Sequence, residues 1–469
     1  MQAAQKRTPA FSGWRQPVVL VALFVYFLTL EWERVSTYFA ADDMMNLATY
    51  FWLGPWDALK SQFLLWQGFY RPMGSAFYLP LYHWFGLNPA PFQAAVLLIL
   101  AANILLAFRF ALALGSSQFI AGIAALLIAY HAGLPNLHYN VDMIYDVLCF
   151  CFFIGALLLY ASIRSRHRYL RWYETAAFLA LYLCALNSKE MALTMPLVLL
   201  AYEWTYQLLH YDFLWGRLSA CGPDVIRSTG RQLFSSLRDP GRLVLFTAVL
   251  ALASLYGKKF GVQPILDQPA YQPVLSLQRY MAFQKASLFE LSGHLSHPGW
   301  RGVLLFWTLA TWMAWRRPRP LLRFTWAYML LTPLPVAFLS DRTQGCLYLP
   351  LVGWAIFAAA IFSDGIGAAQ FSVPGATHRA LGPPLDFCAA HCRRGSFLAE
   401  PDAVSQGDCR ETGIRPARRI DRQRGRATPR SPSPPSAAQS GRFPERSVQR
   451  LGYDLHRNAL VRRPQHSRV

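Results

Sequence analysis

Two adjacent carboxylates, Asp42 and Asp43, lie in the stretch YFAADDMMNLATYFW, just after a long apolar run. Carboxylates beside a membrane are costly, and they are usually placed where water or a cation reaches them. One such carboxylate can act as a general base toward an attacking hydroxyl, and an adjacent pair also suits a divalent cation. Because Asp favours the first turn of a helix, a cap ahead of MMNLATYFW is the structural alternative for the same pair.

Three cationic residues, Arg71, Lys189 and Arg342, suggest a second kind of chemistry. A guanidinium or an ammonium can hold a phosphate leaving group, which suits transfer of a group from a phosphate-linked lipid. Each residue also has a structural alternative. Arg71 can snorkel to lipid headgroups, Lys189 can pair with Glu190 to close a tight turn, and Arg342 can pair with Asp341.

Two further features bear on metals. His138 lies at the end of an apolar segment, where a lone His is more often structural than a metal ligand. The short stretch CAAHC, residues 388–392, has no second ligand cluster. The sequence therefore identifies no certain cofactor, and the metal site it leaves open is a divalent cation at Asp42 and Asp43.

The composition shows which elements must position these residues. The chain has 469 residues, of which 54% are hydrophobic and only 15% are charged, and this is too apolar for an ordinary soluble protein. The sequence predicts an all-α polytopic membrane protein whose first apolar segment is a retained span rather than a cleaved signal peptide.

About ten segments are long and apolar enough to be transmembrane helices. They are residues 13–31, 90–114, 118–134, 142–163, 173–187, 190–209, 243–257, 299–316, 321–339 and 344–363. The stretch 73–87 is apolar but short and contains Pro80, so we predict a re-entrant or interfacial segment there.

Basic loops predict the orientation of these spans. Arg and Lys concentrate at the N-terminus, in RSRHRYLR after residue 163, in residues 210–242 and in RRPRP, which all fall on one side when ten spans are counted. By the positive-inside rule that side is the cytoplasm, which places an N-terminus inside and an active face outside a plasma (inner) membrane. The first outer loop, residues 32–89, is rich in Trp, Phe and Leu and predicts helices lying along the interface.

The C-terminal part changes character abruptly. Residues 365–469 contain 18 Arg, no Lys and eight Asp or Glu, so half of the net charge of +20 comes from this tail. This distribution argues against nucleic acid as a partner. We predict a membrane domain at residues 1–363 and a disordered tail rich in Arg, Pro and Ser at 364–469, which either touches anionic lipid or results from a shifted reading frame.

Four stretches resemble the C-type (GT-C) multi-span membrane glycosyltransferases, especially the protein O-mannosyltransferase branch and its bacterial relatives. They are the early acidic pair, YRPMGSAFYLPLYHWFGLNP, ALNSKEMALTMPLVLLAYE and LYLPLVGWAIFAA, in the family's order. The resemblance covers roughly residues 10–363.

The resemblance implies an enzyme that moves a hexose or pentose from a polyprenyl-phosphate donor to an acceptor hydroxyl on the outer face. Asp42 or Asp43 would then be the general base, and Arg342, Lys189 and Arg71 would hold the donor phosphate. Glu190, His138 and Tyr348 would support them. The acceptor stays open between a protein, a glycan and a lipid.

The alternative class is a polytopic transporter or lipid flippase without glycosyl transfer. Transporters tend to place charged residues in mid-span and to be built from two related halves. Here most span interiors lack charge, apart from Arg109, Asp146 and Glu203, and no half repeat is apparent. A third possibility is a nonenzymatic relic disabled by its tail.

Overall fold

A computed structural model describes residues 15–166, 168–208, 223–261, 271–294, 297–317, 319–339 and 342–371. Every regular element in these ranges is helical. The α-helices, in chain order, are α1 (Arg15–Glu31), α2 (Ala41–Leu53), α3 (Pro55–Ser61), α4 (Met73–Phe85), α5 (Pro89–Ala113), α6 (Gln118–Ala129), α7 (Pro135–Tyr139), α8 (Ile144–Arg164), α9 (Trp172–Ser188), α10 (Met195–Glu203), α11 (Pro223–Phe260), α12 (Leu277–Leu291), α13 (Trp300–Arg316), α14 (Pro320–Leu331), α15 (Leu334–Ala337) and α16 (Tyr348–Phe371). Short 3₁₀ turns join several of them.

Four helical segments within the described ranges are long and apolar enough to cross a membrane: Pro89–Ala113, Val141–Arg164, Pro240–Phe260 and Gln344–Ile366. The predicted all-α fold is therefore confirmed for the described residues, and these four segments are consistent with the predicted membrane protein. All ten predicted spans contain helix, but residues 190–209 and 321–339 are each divided between shorter helices. The count of ten and the orientation stay predictions.

The core forms around α8. This helix packs against α5, α9 and α16, and α6 packs against both α5 and α16. Its buried face is strongly apolar, and the ring of Phe150 stacks on that of Tyr348 in α16 with centroids 4.3 Å apart. Close packing of this kind fixes the position of α8 against its neighbours.

Local sequence signals explain where several helices begin. The Asn88 side chain accepts a hydrogen bond from Ala90 N ahead of α5, and Ser117 accepts one from Ile120 N ahead of α6. Pro89 occupies the first turn of α5, where a backbone N–H would have no acceptor within the helix, so the helix loses no hydrogen bond because proline lacks this group. The polar N-cap residues satisfy amides that the apolar surroundings would otherwise leave unpaired.

The predicted outer loop, residues 32–89, contains three α-helices. Helix α4 has 13 residues and contains Pro80, so at 1.5 Å per residue it is roughly 20 Å long and too short to cross the hydrocarbon core alone. Helices α2 and α3 carry large exposed aromatic side chains, among them Trp52 and Trp56. Exposed Trp at this density suits the membrane interface that the sequence predicts for this loop.

The described helices all belong to one compact unit, Met1–Arg379. Helix α16 continues to Phe371, past the boundary predicted at residue 363. The rest of the predicted tail lies outside the described residues.

Candidate functional site

A cavity of about 370 Å³ lies between the first turn of α8, the end of α9, the middle of α12 and the chain leading into α16. Its wall is apolar where Met143, Phe283 and Leu339 line it. The polar residues that line it are Asp146, Lys189, Arg279, Arg342, Thr343 and Gln344. Three of these six are cations and one is a carboxylate, so the cavity suits an anionic ligand.

Lys189 is held by a carboxylate from α8. Its Nζ lies 2.7 Å from Asp146 Oδ2, and both side chains are buried. Burial lowers the pKa of the Lys189 ammonium, but the neighbouring Asp146 carboxylate outweighs this effect and raises the pKa above its ordinary value. Lys189 therefore stays charged at the edge of the cavity.

Arg71 lies behind the cavity in a second buried ion-pair group. Its Nη2 is 3.3 Å from Glu190 Oε2, and Lys258 of α11 lies 3.1 Å from Glu190 Oε1. The snorkelling alternative for Arg71 is therefore wrong. The predicted pairing of Lys189 with Glu190 is also wrong, because each of these neighbours has its ion pairs with other residues.

The charges of these two groups do not balance. Arg71, Lys189 and Lys258 are three cations around two carboxylates, Asp146 and Glu190. Charge buried in protein is stabilised by opposite charge, so an excess cation favours an anion nearby.

Arg342 and Arg279 add further positive charge to the cavity. The guanidinium of Arg342 lies over the ring of Tyr271, with its Cζ 4.4 Å from the ring centroid, and the Tyr271 hydroxyl is also 3.5 Å from Arg71 Nη2. Arg279 donates from Nε to Leu339 O at 2.9 Å. Neither arginine forms an ion pair with a carboxylate in the part of the chain that the structure describes; Asp341, the predicted partner of Arg342, lies outside it.

The segment that carries Arg342 is fixed by Glu290 of α12. Thr343 donates its hydroxyl to Glu290 Oε1 at 2.5 Å, and the N–H of Gln344 donates to Glu290 Oε2 at 2.6 Å. Burial raises the pKa of the Glu290 carboxyl more than these two hydrogen bonds lower it. Gln344 has a φ of 45°, a left-handed conformation that is uncommon outside glycine and is often found at functional sites.

Asp43 and Asp42 have different roles at the start of α2. Asp43 is buried, and its Oδ2 accepts a hydrogen bond from Ala40 N at 2.7 Å. The N-cap residue of α2 is Ala40, so Asp43 stabilises the helix start from the third position of the first turn and not from the predicted cap position. Burial raises the pKa of the Asp43 carboxyl, and the hydrogen bond from Ala40 opposes that effect. Asp42, one residue earlier, is exposed.

The carboxylate pair is connected to the cavity through the turn Val141–Met143. The backbone amide of Asp142 in this turn faces the Asp43 carboxylate, and the next residue, Met143, lines the cavity. The structure thus brings the acidic pair to the same end of α8 as Lys189 and Arg342.

His138 and Tyr348 lie away from the lining of the cavity. His138 is buried, and its Nδ1 contacts Glu31 Oε1, while Arg34 contacts the other Glu31 oxygen. Tyr348 lies in the apolar core, stacked on Phe150. Both positions suit a structural role.

Four residues around the site were not predicted as site residues from the sequence: Asp146, Lys258, Arg279 and Glu290. Asp146 could have been found from the sequence, because a carboxylate within an apolar span needs a partner of opposite charge or a hydrogen-bond donor. The other three come from segments far along the chain, and only folding brings them together.

No protein-family model matches this chain, and a search of curated proteins finds no match. Among the residues that the structure describes, no group of three or more His, Cys, Asp or Glu side chains is arranged to hold a metal ion.

Proposed function

We propose that this protein is a membrane glycosyltransferase of the GT-C type. It would transfer a sugar from a polyprenyl-phosphate donor to an acceptor hydroxyl on the outer face of a plasma (inner) membrane. The observation that carries this proposal is the cavity in which Lys189, Arg279 and Arg342 meet, beside the turn whose Asp142 amide faces Asp43.

The cations support a phosphate as leaving group. The acceptor oxygen attacks the anomeric carbon, the bond from that carbon to the phosphate oxygen breaks, and the leaving phosphate gains negative charge. Preorganised cations in a partly closed cavity stabilise charge that develops in this way. Arg279 and Arg342 form no ion pair with a described carboxylate, and the one carboxylate that lines the cavity, Asp146, is paired with Lys189.

The acidic pair would accept the proton of the acceptor hydroxyl. A general base must reach the hydroxyl, and Asp42 is exposed while Asp43 is buried and bonded to the backbone of Ala40. We therefore assign the base to Asp42 and the positioning of its helix to Asp43. Under this assignment, the donor site and the general base lie at the same end of α8.

Transfer of labelled sugar tests the proposal. Membrane vesicles containing the unaltered protein should move label from a polyprenyl-phosphate sugar to an acceptor. Asp42→Asn should reduce turnover by about 100-fold or more at unchanged protein level, because general-base catalysis contributes about 10²- to 10⁴-fold. Asp43→Ala should lower both the amount of folded protein and the activity, because it removes the acceptor of the hydrogen bond from Ala40 N.

The matched control is Asp57→Asn, which removes an exposed carboxylate from α3 of the same outer loop. This variant should keep full activity. Absence of transfer across a panel of donor sugars would contradict the proposal and favour the transporter or flippase alternative. Equal loss in Asp42→Asn and Asp57→Asn would contradict the assignment of the base.

A further inference from the structure

One wall of the cavity at the first turn of α8 is formed by a single short segment. Residues 342–346, which we call the strap, all line this cavity. The strap leads through the 3₁₀ turn Gln344–Leu347 into α16. The position of the strap therefore determines where the Arg342 guanidinium lies relative to Lys189 and Arg279, the other two cations of the cavity.

The strap depends on contacts from outside itself. Within it, Cys346 N donates a hydrogen bond to Thr343 O at 3.1 Å. Gln344 has a φ of 45°, which side chains other than glycine seldom adopt. A backbone in this conformation persists only where the surrounding structure fixes it. Other elements must therefore hold the strap in place.

Glu290, in the last turn of α12, supplies two of the contacts that hold the strap. Its Oε1 accepts a hydrogen bond from the Thr343 hydroxyl at 2.5 Å, and its Oε2 accepts one from Gln344 N at 2.6 Å. Both oxygens thus bind the two residues that directly follow Arg342. Hydrogen bonds to a carboxylate are roughly twice as strong as those between neutral groups.

The backbone of Glu290 is itself closely packed. A methyl group on Gly133, just before α7, would lie 1.9 Å from Glu290 O, so the two chain segments touch there. Gly293 N also donates a hydrogen bond to Glu290 O at 2.9 Å. The carboxylate therefore projects toward the strap from a fixed point, which is what precise placement of a neighbouring group requires.

The opposite side of the strap lies against α7 and the turn before α8. Asn136 Nδ2 donates to Gln344 Oε1 at 2.6 Å. A methyl group on Gly345 would lie 2.6 Å from Met143 Sδ, so the strap approaches that turn as closely as a glycine allows. The strap is thus held between α12 on one side and the start of α8 on the other.

We propose that Glu290 is a positioning residue, which holds the strap so that the Arg342 guanidinium faces the ligand of the cavity. Glu290 is not among the described lining residues, so its negative charge acts on the strap and not on an anionic ligand. That the ligand is a donor phosphate rests on the proposed function. The positioning itself rests only on the contacts of Glu290.

The reactivity of the Cys346 thiol tests the positioning without sugar transfer. Cys346 is 8% exposed in the strap, and Cys149 is 1% exposed in the core of the same protein. The full-length protein is treated with N-ethylmaleimide, and the labelling rate of each cysteine is measured by peptide mass spectrometry. Glu290→Ala should raise the rate at Cys346 about tenfold or more, because loss of hydrogen bonds to a charged group favours local opening by that factor.

Glu290→Gln should raise the Cys346 rate less than Glu290→Ala does. A Gln side chain can accept from Gln344 N and donate to the Thr343 hydroxyl, so it can restore both contacts. The rate at Cys149 should stay the same in every variant, which shows that the core is folded. An unchanged Cys346 rate in Glu290→Ala, or an equal rise at Cys149, would overturn the proposal.

The matched control is Gln284→Ala, which removes another buried polar side chain from α12. Gln284 Oε1 accepts a hydrogen bond from Trp307 Nε1 at 3.1 Å, and Gln284 does not line the cavity. This variant should change the Cys346 rate less than twofold. A rise equal to that in Glu290→Ala would show that any loosening of α12 exposes the strap, and it would overturn the proposal.

Binding of polyprenyl phosphate, the product that the proposed reaction releases, tests whether Glu290 acts through Arg342. Arg342→Gln and Glu290→Ala should each weaken binding about tenfold, and the double variant should bind no more weakly than Arg342→Gln alone. Losses that add would overturn the positioning role. If the unaltered protein binds no polyprenyl phosphate but Glu290→Ala still exposes Cys346, the proposed function is contradicted and the positioning role is supported.

Discussion

At the scale of single residues, the central feature is the buried ion pair between Lys189 and Asp146. Both charges lose their water on folding, and their mutual attraction compensates only because the geometry is close, at 2.7 Å. The pair keeps an ammonium charged at the cavity without leaving it free to move. Removing one partner leaves the other as an unpaired buried charge.

We therefore expect Lys189→Met to destabilise the protein by about 3–5 kcal/mol, since breaking a buried pair costs that much. Thermal or chemical denaturation in detergent would measure the change. The double variant Lys189→Met/Asp146→Leu should recover most of the stability but none of the donor binding. A single variant as stable as the original protein would contradict the buried-pair interpretation.

Asp43 should produce a pH dependence of stability. Burial raises its folded-state pKa above the unfolded value, so the folded protein binds this proton more tightly. The contribution of Asp43 to the free energy of unfolding is thus most favourable below the unfolded pKa. It falls as pH rises through the folded pKa and is constant above that value.

Denaturation curves of the original protein and of Asp43→Asn, compared across mildly acidic pH, would measure how much Asp43 contributes to the pH dependence of the free energy of unfolding. The variant should lack the part of the slope that Asp43 contributes. Asp57→Asn, an exposed carboxylate variant, should retain it. The same slope in all three proteins would show that the Asp43 carboxyl has an ordinary pKa.

At the scale of elements, the close contact between α11 and the outer loop positions Lys258. The turn Leu65–Gln67 lies against α11 at Gly257 and Gly261, where a methyl group would overlap backbone atoms of the turn. Lys258 follows Gly257 directly and contacts Glu190. Two glycines thus allow a loop to approach the helix that completes the buried charge group.

Gly257→Ala should therefore destabilise the protein by about 1–3 kcal/mol or more, because overpacking against the backbone forces one element away. Gly241→Ala, in the same helix, has open space around the added methyl group and should be neutral or stabilise by up to about 1 kcal/mol. Denaturation midpoints of both variants test this. Equal shifts of the denaturation midpoint in Gly257→Ala and Gly241→Ala would show that helix propensity alone determines the effect of each substitution on stability.

At the scale of the whole molecule, the proposed activity requires the cavity at the first turn of α8 to face outside. We expect Ser36→Cys, after α1, to react with a membrane-impermeant maleimide added to intact cells. Ser165→Cys, after α8, should react only after the membrane is opened. A background without the eight native cysteines is needed. The reverse labelling pattern would invert the topology.

Sequence alone determined the class of fold, because the hydrophobic effect acts on composition and a helix satisfies its own backbone hydrogen bonds in an apolar environment. It also located helix starts such as those after Asn88 and Ser117, since a cap depends on neighbours in the chain. The sequence also indicated that Asp43 stabilises a helix start for the same reason, although its position in the first turn differs from the predicted cap.

Only the tertiary structure decided how the charges pair. Lys189 and Glu190 are neighbours in sequence, yet one bonds to Asp146 on α8 and the other to Arg71 and Lys258, which are 68 or more residues away. Ion pairs of this kind depend on which helices pack together, and local spacing carries no such information. For the same reason the cavity beside Arg279 and Arg342 emerged only from the fold.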